Sequence, residues 1–358
     1  LAAALFLSSF ALGALGAWMI ARFAGKLSLL DCPEERSSHR QPTPKGGGVG
    51  ILAAFSLVSM ASGVSPWFWG PISLLSLMAG YGDRVELTAR LRLLAQLGLT
   101  APLVVGTWQP SSSYYLNCPL ILFWIVFIAG TANFYNFMDG INGIAGITGV
   151  VGFSLLALYI HDLGGQTTLG NLSTCMAFSC LGFLPFNMPK AKVFMGDIGS
   201  ILLGAVFAGL VYLASRTLLD FLCMASFLFP FYADELTTMA VRLKKGENIT
   251  QAHRKHLYQL FANEMAIPHW QVSAIFGCVQ LFIGISVLVT KSLGSYVLLA
   301  ILIFYSIVFI LVSWYFRSYI ESQVNHLTAA GHSPVKERTQ RNENRHAGKT
   351  GNKQGLGF

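Results

Sequence analysis

The chain has 358 residues, 54% of them hydrophobic and only 11% charged, with a formal net charge of +8. That is too little polar surface to cover a soluble globule of this size. Continuous Leu, Ile, Phe, Ala and Gly runs also exclude a β-barrel, whose strands alternate apolar and polar residues over short segments. The sequence therefore reads as an all-α integral membrane protein, a polytopic helix bundle.

Eleven apolar runs follow one another, centred near residues 10, 56, 73, 100, 126, 152, 178, 206, 227, 280 and 306. Each spans about 16–22 residues, near the roughly 20 that an α-helix needs to cross the hydrocarbon core. The first run has no basic leader and no small-residue cleavage site, so a membrane helix is expected there rather than a cleaved signal. If the helices alternate in direction, every one of the 24 Lys and Arg except Arg216 and Lys291 falls on one side. So does every one of the 16 Asp and Glu except Asp162 and Asp220. The positive-inside rule makes that side cytoplasmic, with the N-terminus outside. The six cysteines form no CxxC pair, and neither a disulfide framework nor a zinc site is expected. Residues 1–316 read as one membrane domain. Residues 317–358, polar, basic and rich in Gly, Asn and Gln, read as a disordered cytoplasmic tail, either a topogenic or anionic-lipid-contacting extension or simply solvated.

The inner loops carry the chemistry. The first contains Arg36, His39, Arg40 and Lys45, then Gly46-Gly47-Gly48 where the second helix opens. Glycines there can present backbone N–H groups to an anion, with the basic residues as phosphate partners, or can merely turn a topogenic loop. At the end of the third helix, Asp83 is placed to accept a proton or ligate a cation, or else to pair with Arg84 in solvent. Asn133, Asn136, Asp139 and Asn142 recur every three residues along one edge of the fifth run. Three amides and a carboxylate in apolar sequence are costly to bury unless they bind something polar.

Asn187 offers a hydrogen bond and Phe194 a stacking surface for a base. Asp197 lies between glycines at the start of a long apolar helix, where the helix dipole should keep it ionised. A hard divalent cation bridging it to a diphosphate suits these oxygen-rich surroundings better than zinc would. His253, Arg254, Lys255 and His256 add donors for the same diphosphate, or form an ordinary topogenic cluster.

In their order along the chain, RSSHxxPTPKGGG, NxxNxMDGxxG, PFNxPKAxVFMGDIGS and AHRKHLYQ resemble the polyprenyl-phosphate N-acetylhexosamine-1-phosphate transferase family, glycosyltransferase family 4, over about residues 20–316. The YNFMDG and HRxHLYQ forms look most like the branch that initiates O-antigen and related surface glycans. The resemblance implies transfer of a sugar 1-phosphate from a UDP-N-acetylhexosamine to undecaprenyl phosphate at the cytoplasmic face of a bacterial inner membrane, with Mg²⁺ or Mn²⁺, releasing UMP. It implies catalytic roles for Asp83, Asp139 and Asp197, with Asp197 the metal ligand. Lys45, Asn133, Asn136, Asn187, Phe194, His253, Arg254 and His256 are then substrate-binding. The expected partners are the UDP-sugar, undecaprenyl phosphate and membrane lipid, with no nucleic acid; a homodimer is left open.

Two departures stand out. The family ordinarily has two adjacent Asp where this chain has Asp83-Arg84, and the second Asp of its DGxDG motif is Asn142 here. A weak or inactive member acting as a scaffold is therefore one alternative. A secondary transporter is another, and it requires polar residues near the bilayer midplane and internal pseudo-symmetry.

Overall fold

The computed structural model describes the backbone of residues 2–27, 29–33, 38, 41–85, 88–109, 114–248 and 253–329. Arg36, His39 and Arg40 lie outside the described residues. A helix closes its backbone hydrogen bonds on itself, which is the condition for sitting in lipid, and the apolar runs fold accordingly. The helices are α1 (Ala2–Leu27), α2 (Val49–Ala61), α3 (Pro66–Gly82), α4 (Ala89–Thr107), α5 (Tyr114–Phe137), α6 (Ile144–Asp162), α7 (Thr167–Asn187), α8 (Asp197–Ala214), α9 (Leu218–Ser226), α10 (Phe229–Lys244), the short α11 (Leu257–Gln259), α12 (His269–Thr290) and α13 (Ser295–Ala329).

Every expected run has its helix except the ninth, whose centre falls at a break. There α9 ends and α10 restarts with Pro230 in its first turn, where a missing N–H costs nothing. Among the described residues, seven helices are long and apolar enough to cross a membrane. Among the others, α2 has 13 residues and α3 has 17.

Helix α8 is the hub, packed against α5 and α3, while α1 lies on α7 and α2. Apolar helices gain little from one another in lipid beyond close packing, so small residues mark their contacts. A Cβ added to Gly50 of α2 would sit 2.9 Å from Gly16 Cα of α1. The ends alternate: Asp83, after α3, meets the start of α8 at Asp197, whereas Thr107, ending α4, meets Tyr212 near the far end of α8.

The outermost helix, α13, has 35 residues and is about 52 Å long at 1.5 Å per residue, well beyond a core of roughly 30 Å. Its last turns stand at the same end as the inner loops. There Arg317 donates to Thr238 (2.9 Å) and Lys245 pairs with Glu321 (2.5 Å). Residues 317–329 are thus helical where a tail was expected, with Arg317 and Glu321 bonded to Thr238 and Lys245; residues 330–358 lie outside the described residues.

One small sheet matters for the site. Strands β1 (Leu30–Asp31) and β2 (Thr43–Pro44) pair antiparallel, Leu30 opposite Pro44 and Asp31 opposite Thr43. Lys45 continues β2 into a parallel bridge with Phe194.

Candidate active site

Four helix ends and the β2 strap converge on Asp197. Gly196, at φ 75°, turns the chain into α8 through a conformation that side chains disfavour. The first N–H of α8, from Asp197, is then satisfied by Asp83 Oδ2 at 3.0 Å. The other Asp83 oxygen holds Lys45 Nζ at 2.7 Å, and Lys45 is 3.8 Å from Asp197 Oδ1. From the first turn of α4, Arg92 reaches Asp197 Oδ2 at 3.2 Å. Asp83 is therefore both an acceptor for α8 and a counter-ion for Lys45, a tie not evident from its place in the sequence.

The glycine run has a different use from the one expected. Gly46 and Gly47 N–H donate to Phe194 O (3.1 and 2.9 Å), and Gly48 N–H donates to Met195 O (2.9 Å). These donors are taken, so they do not form an anion cradle. The glycines instead let the strap lie against the segment leading to Asp197, and Lys45 is delivered by that contact.

The amide stripe separates by partner. Asn133 exchanges amide hydrogen bonds with Gln96 of α4, with Gln96 Nε2 donating to Asn133 Oδ1 at 3.0 Å. Asn136 Oδ1 accepts from Ser200 Oγ of α8 at 2.6 Å. Asn142 uses its backbone, its N–H reaching His269 Nδ1 at 3.4 Å and its carbonyl accepting from Ser273 at 2.8 Å. Asn187 is buried with both polar ends engaged, accepting from Gly143 N–H (2.6 Å) and donating to Val193 O (2.9 Å). It ties the MDG turn to the Phe194 segment. Phe194 is half-buried at the edge of the site.

Electrostatics favour further positive charge. Burial and the neighbouring Asp197 charge push Asp83 up to about 6, against the pull of Lys45. Burial and Asp197 likewise hold Asp139 well above the carboxylate range. Burial alone would lower Lys45, but Asp197 and Asp83 more than offset it and raise it. Three carboxylates thus share two close cations, Lys45 and Arg92. Among the described residues no three acidic, imidazole or thiol groups converge as a closed metal site. The donor set fits an ion such as Mg²⁺, which is commonly held by one or two carboxylates and completed by substrate phosphates and water.

The His253 segment forms a second cluster. Its charged surroundings are Arg242, Glu247 and Lys255 rather than the Lys45 group. His253 and Arg254 are half-exposed. His256, expected beside a diphosphate, is turned inward at 2% exposure, with Nε2 3.4 Å from Glu235 and Nδ1 3.9 Å from Asp234. Burial, then the Arg317 and Arg242 charges, lower it to about 3, so at neutral pH it is an uncharged imidazole facing α10. Burial first, then nearby cations, lower His253 to about 4. The lasting cations of this segment are Arg254 and Lys255.

Sequence reasoning singled out neither Arg92 nor Ser200 as a site residue, although Ser200 closes the VFMGDIGS motif. It also passed over Asp234-Glu235, whose signal was two adjacent acids within an apolar run.

A multi-pass helical membrane protein with its carboxylates and cations gathered at one end of the bundle is the class that this geometry defines. Residues 65–215, from α3 through α8 and so including Asp83, Asp139 and Asp197, match the family described as glycosyl transferase family 4. The chain is 29% identical over 264 residues to an undecaprenyl-phosphate alpha-N-acetylglucosaminyl 1-phosphate transferase of Thermotoga maritima, covering 71% of this chain and 79% of the relative. It is 26% identical over 319 residues to a probable undecaprenyl-phosphate N-acetylglucosaminyl 1-phosphate transferase of Bacillus subtilis, covering 81% and 86%. Over 142 residues, 38% of this chain and 43% of the relative, it is 33% identical to a phospho-N-acetylmuramoyl-pentapeptide-transferase of Staphylococcus saprophyticus. The family match over α3 to α8 and these relatives together support a place for the chain in glycosyl transferase family 4.

Proposed function

We propose that this protein transfers the sugar 1-phosphate of a UDP-N-acetylhexosamine to undecaprenyl phosphate, as the first membrane step of O-antigen or a related surface glycan. The observation that carries the reading is the joining of Lys45, Asp83, Arg92 and Asp197 at one end of the bundle, in a chain whose relatives are named for this kind of transfer. The excess of Lys and Arg in the loops at that end supports a cytoplasmic site in a bacterial inner membrane.

An oxygen of the lipid phosphate forms a bond to the β-phosphorus of the donor. The bond from that phosphorus to the bridging oxygen breaks, and UMP leaves. Two phosphorylated reactants bring several negative charges together, and fixed cations offset them most effectively where water is scarce. Lys45 and Arg92 supply such charges beside Asp197, and Arg254, in the separate His253 cluster, is assigned to the diphosphate by the family resemblance. Mg²⁺ or Mn²⁺ at Asp197, when bound, supplies Lewis-acid polarisation of the diphosphate. Phe194 offers a face for the uracil, with Asn187 and Asn136 shaping that end of the site. Asp83 and Asp139, whose proton affinities are raised, are the groups placed to take up or orient a proton on the attacking phosphate. Asn133 stands one turn deeper, where its pairing with Gln96 supports the same wall.

The collection of carboxylates at one end of the bundle, rather than at its middle, favours this reading over a transporter. Arg84 and Asn142, standing where the family ordinarily has carboxylates, favour a slow enzyme as the second reading. The test is UMP release by the purified protein given undecaprenyl phosphate, Mg²⁺ and a panel of UDP-N-acetylhexosamines, beside an Asp197→Asn variant that inserts normally. Lipid-dependent release with one donor, lost in the variant, is the expected result. A variant that transfers at the wild-type rate overturns the metal role of Asp197, and a folded wild-type protein inert across the panel favours the silent scaffold.

A further inference from the structure

Asp234 lies in the middle of α10 at 0% exposure, and the transfer chemistry above makes no use of it. A carboxylate so placed is costly unless its oxygens are fully bonded. Here they are: Oδ1 accepts the backbone N–H of Leu257 (2.8 Å) and the hydroxyl of Thr238 (3.1 Å), and Oδ2 accepts the N–H of Tyr258 (3.2 Å). Arg317, from the last helix, stands behind this group, 2.9 Å from Thr238 Oγ1 and 4.0 Å from Asp234 Oδ1.

Tyr258 is tied a second time. Tyr258 is fully buried and donates its hydroxyl to Phe137 O at 3.0 Å, two residues before Asp139. Gly140 leaves room for it, since a Cβ there would lie 3.2 Å from Tyr258 Cζ. Leu257 and Tyr258 are thus clamped through their backbone to α10 and through a side chain to the turn that carries Asp139. His253 and Arg254, a few residues upstream, rise from this clamp. A loop serving only to set topology has no use for a buried carboxylate that captures two of its amides.

We infer that Asp234, braced by Arg317 of the last helix, is a positioning residue: it fixes the segment from His253 to Tyr258 against the Asp139 turn and so places Arg254 and His253 for the donor diphosphate. The consequence for substrate rests on the transferase reading; the clamp itself does not. Asp234 touches no substrate and acts through Leu257 and Tyr258. The peripheral α13 becomes part of the site's support, although it lines no part of the site.

Asp234→Asn keeps the shape but turns one acceptor into an amino group facing a backbone N–H. Hydrogen exchange of the full-length protein in detergent reads the clamp without any assay of transfer. Peptides covering residues 255–260 should exchange at least about tenfold faster in Asp234→Asn, with peptides from α8 and α12 unchanged. In the transfer assay the donor KM should rise about tenfold while the KM for undecaprenyl phosphate stays within about twofold, the pattern of a lost, charge-assisted contact to one substrate. Arg317→Ala should move both readouts the same way by less, and Arg317→Lys should restore them. If Asp234→Asn does not fold, the Arg317 pair decides alone.

Unchanged exchange at 255–260 overturns the inference. So does faster exchange throughout the protein with kcat and both KM values worsened together, the mark of a merely structural residue. A wild-type protein that transfers nothing, while Asp234→Asn still loosens 255–260, overturns the transferase reading and leaves the clamp standing.

Discussion

Replacing Gly48 with alanine tests whether the glycine run serves contact rather than anion binding. Gly48 has φ −63°, open to any residue, so no conformational penalty enters and the cost is steric. An alanine Cβ would sit 2.7 Å from Gly199 N and 3.1 Å from Met195 O. Both are backbone atoms, which no rotamer change can move aside. Ordinary contact distances of about 3.5 Å require the start of α2 to retreat from α8 by about 1 Å, and overpacking of this kind costs about 1–3 kcal/mol. The retreat stretches the bonds from Gly47 and Gly48 to Phe194 and Met195, and Lys45 moves with the strap. A misplacement of about 1 Å at a reacting centre costs on the order of 100-fold in rate.

Thermal unfolding in detergent and UMP release, measured on the same preparation, give the two magnitudes. Gly98→Ala in α4 is the control: nothing lies within 4 Å of its added Cβ, and alanine in a helix gains about 0.5–1 kcal/mol over glycine. A Gly48→Ala protein that melts and transfers like the wild type would show that the strap does not rest on α8 through this glycine.

Gln96→Leu and Asn133→Leu should each destabilise the protein, and the double variant should fall short of their sum by about 0.6 kcal/mol, at most about 1.7; strict additivity in the cycle would mean that the two amides do not pair. Donor binding should tighten as pH falls. His253 is held to about 4 in the resting protein, and a diphosphate beside it raises that value, so the complex binds more protons than the free protein and affinity grows below the bound-state pKa, by at most about tenfold per pH unit. Titration calorimetry with the UDP-sugar, whose diphosphate is fully ionised and does not titrate near neutrality, should show this slope in the wild type and lose it in His253→Asn. A slope that survives the substitution would assign the proton elsewhere.

Hydropathy and charge are local properties, and they made most of the architecture legible. Each apolar run can satisfy its backbone only as a helix, so all but the ninth, which breaks between α9 and α10, were readable, and the clustering of Lys and Arg marked one end of the bundle. Asp83, Asp139 and Asp197 were visible as carboxylates at helix ends for the same reason: an acid beside a membrane run is conspicuous. Partnership could not be read this way. Nothing local to Gly46–Gly48 reveals that the carbonyls of Phe194 and Met195, nearly 150 residues away, already occupy their N–H groups. Nothing local to His256 reveals that Glu235 and Asp234 turn it inward, or that Arg317 on the last helix braces the carboxylate beneath it. Composition along the chain set which groups reach the polar end of the bundle. Packing of distant helices decided which of them face one another, because a hydrogen bond or an ion pair depends on distances of a few ångströms that only the assembled bundle defines.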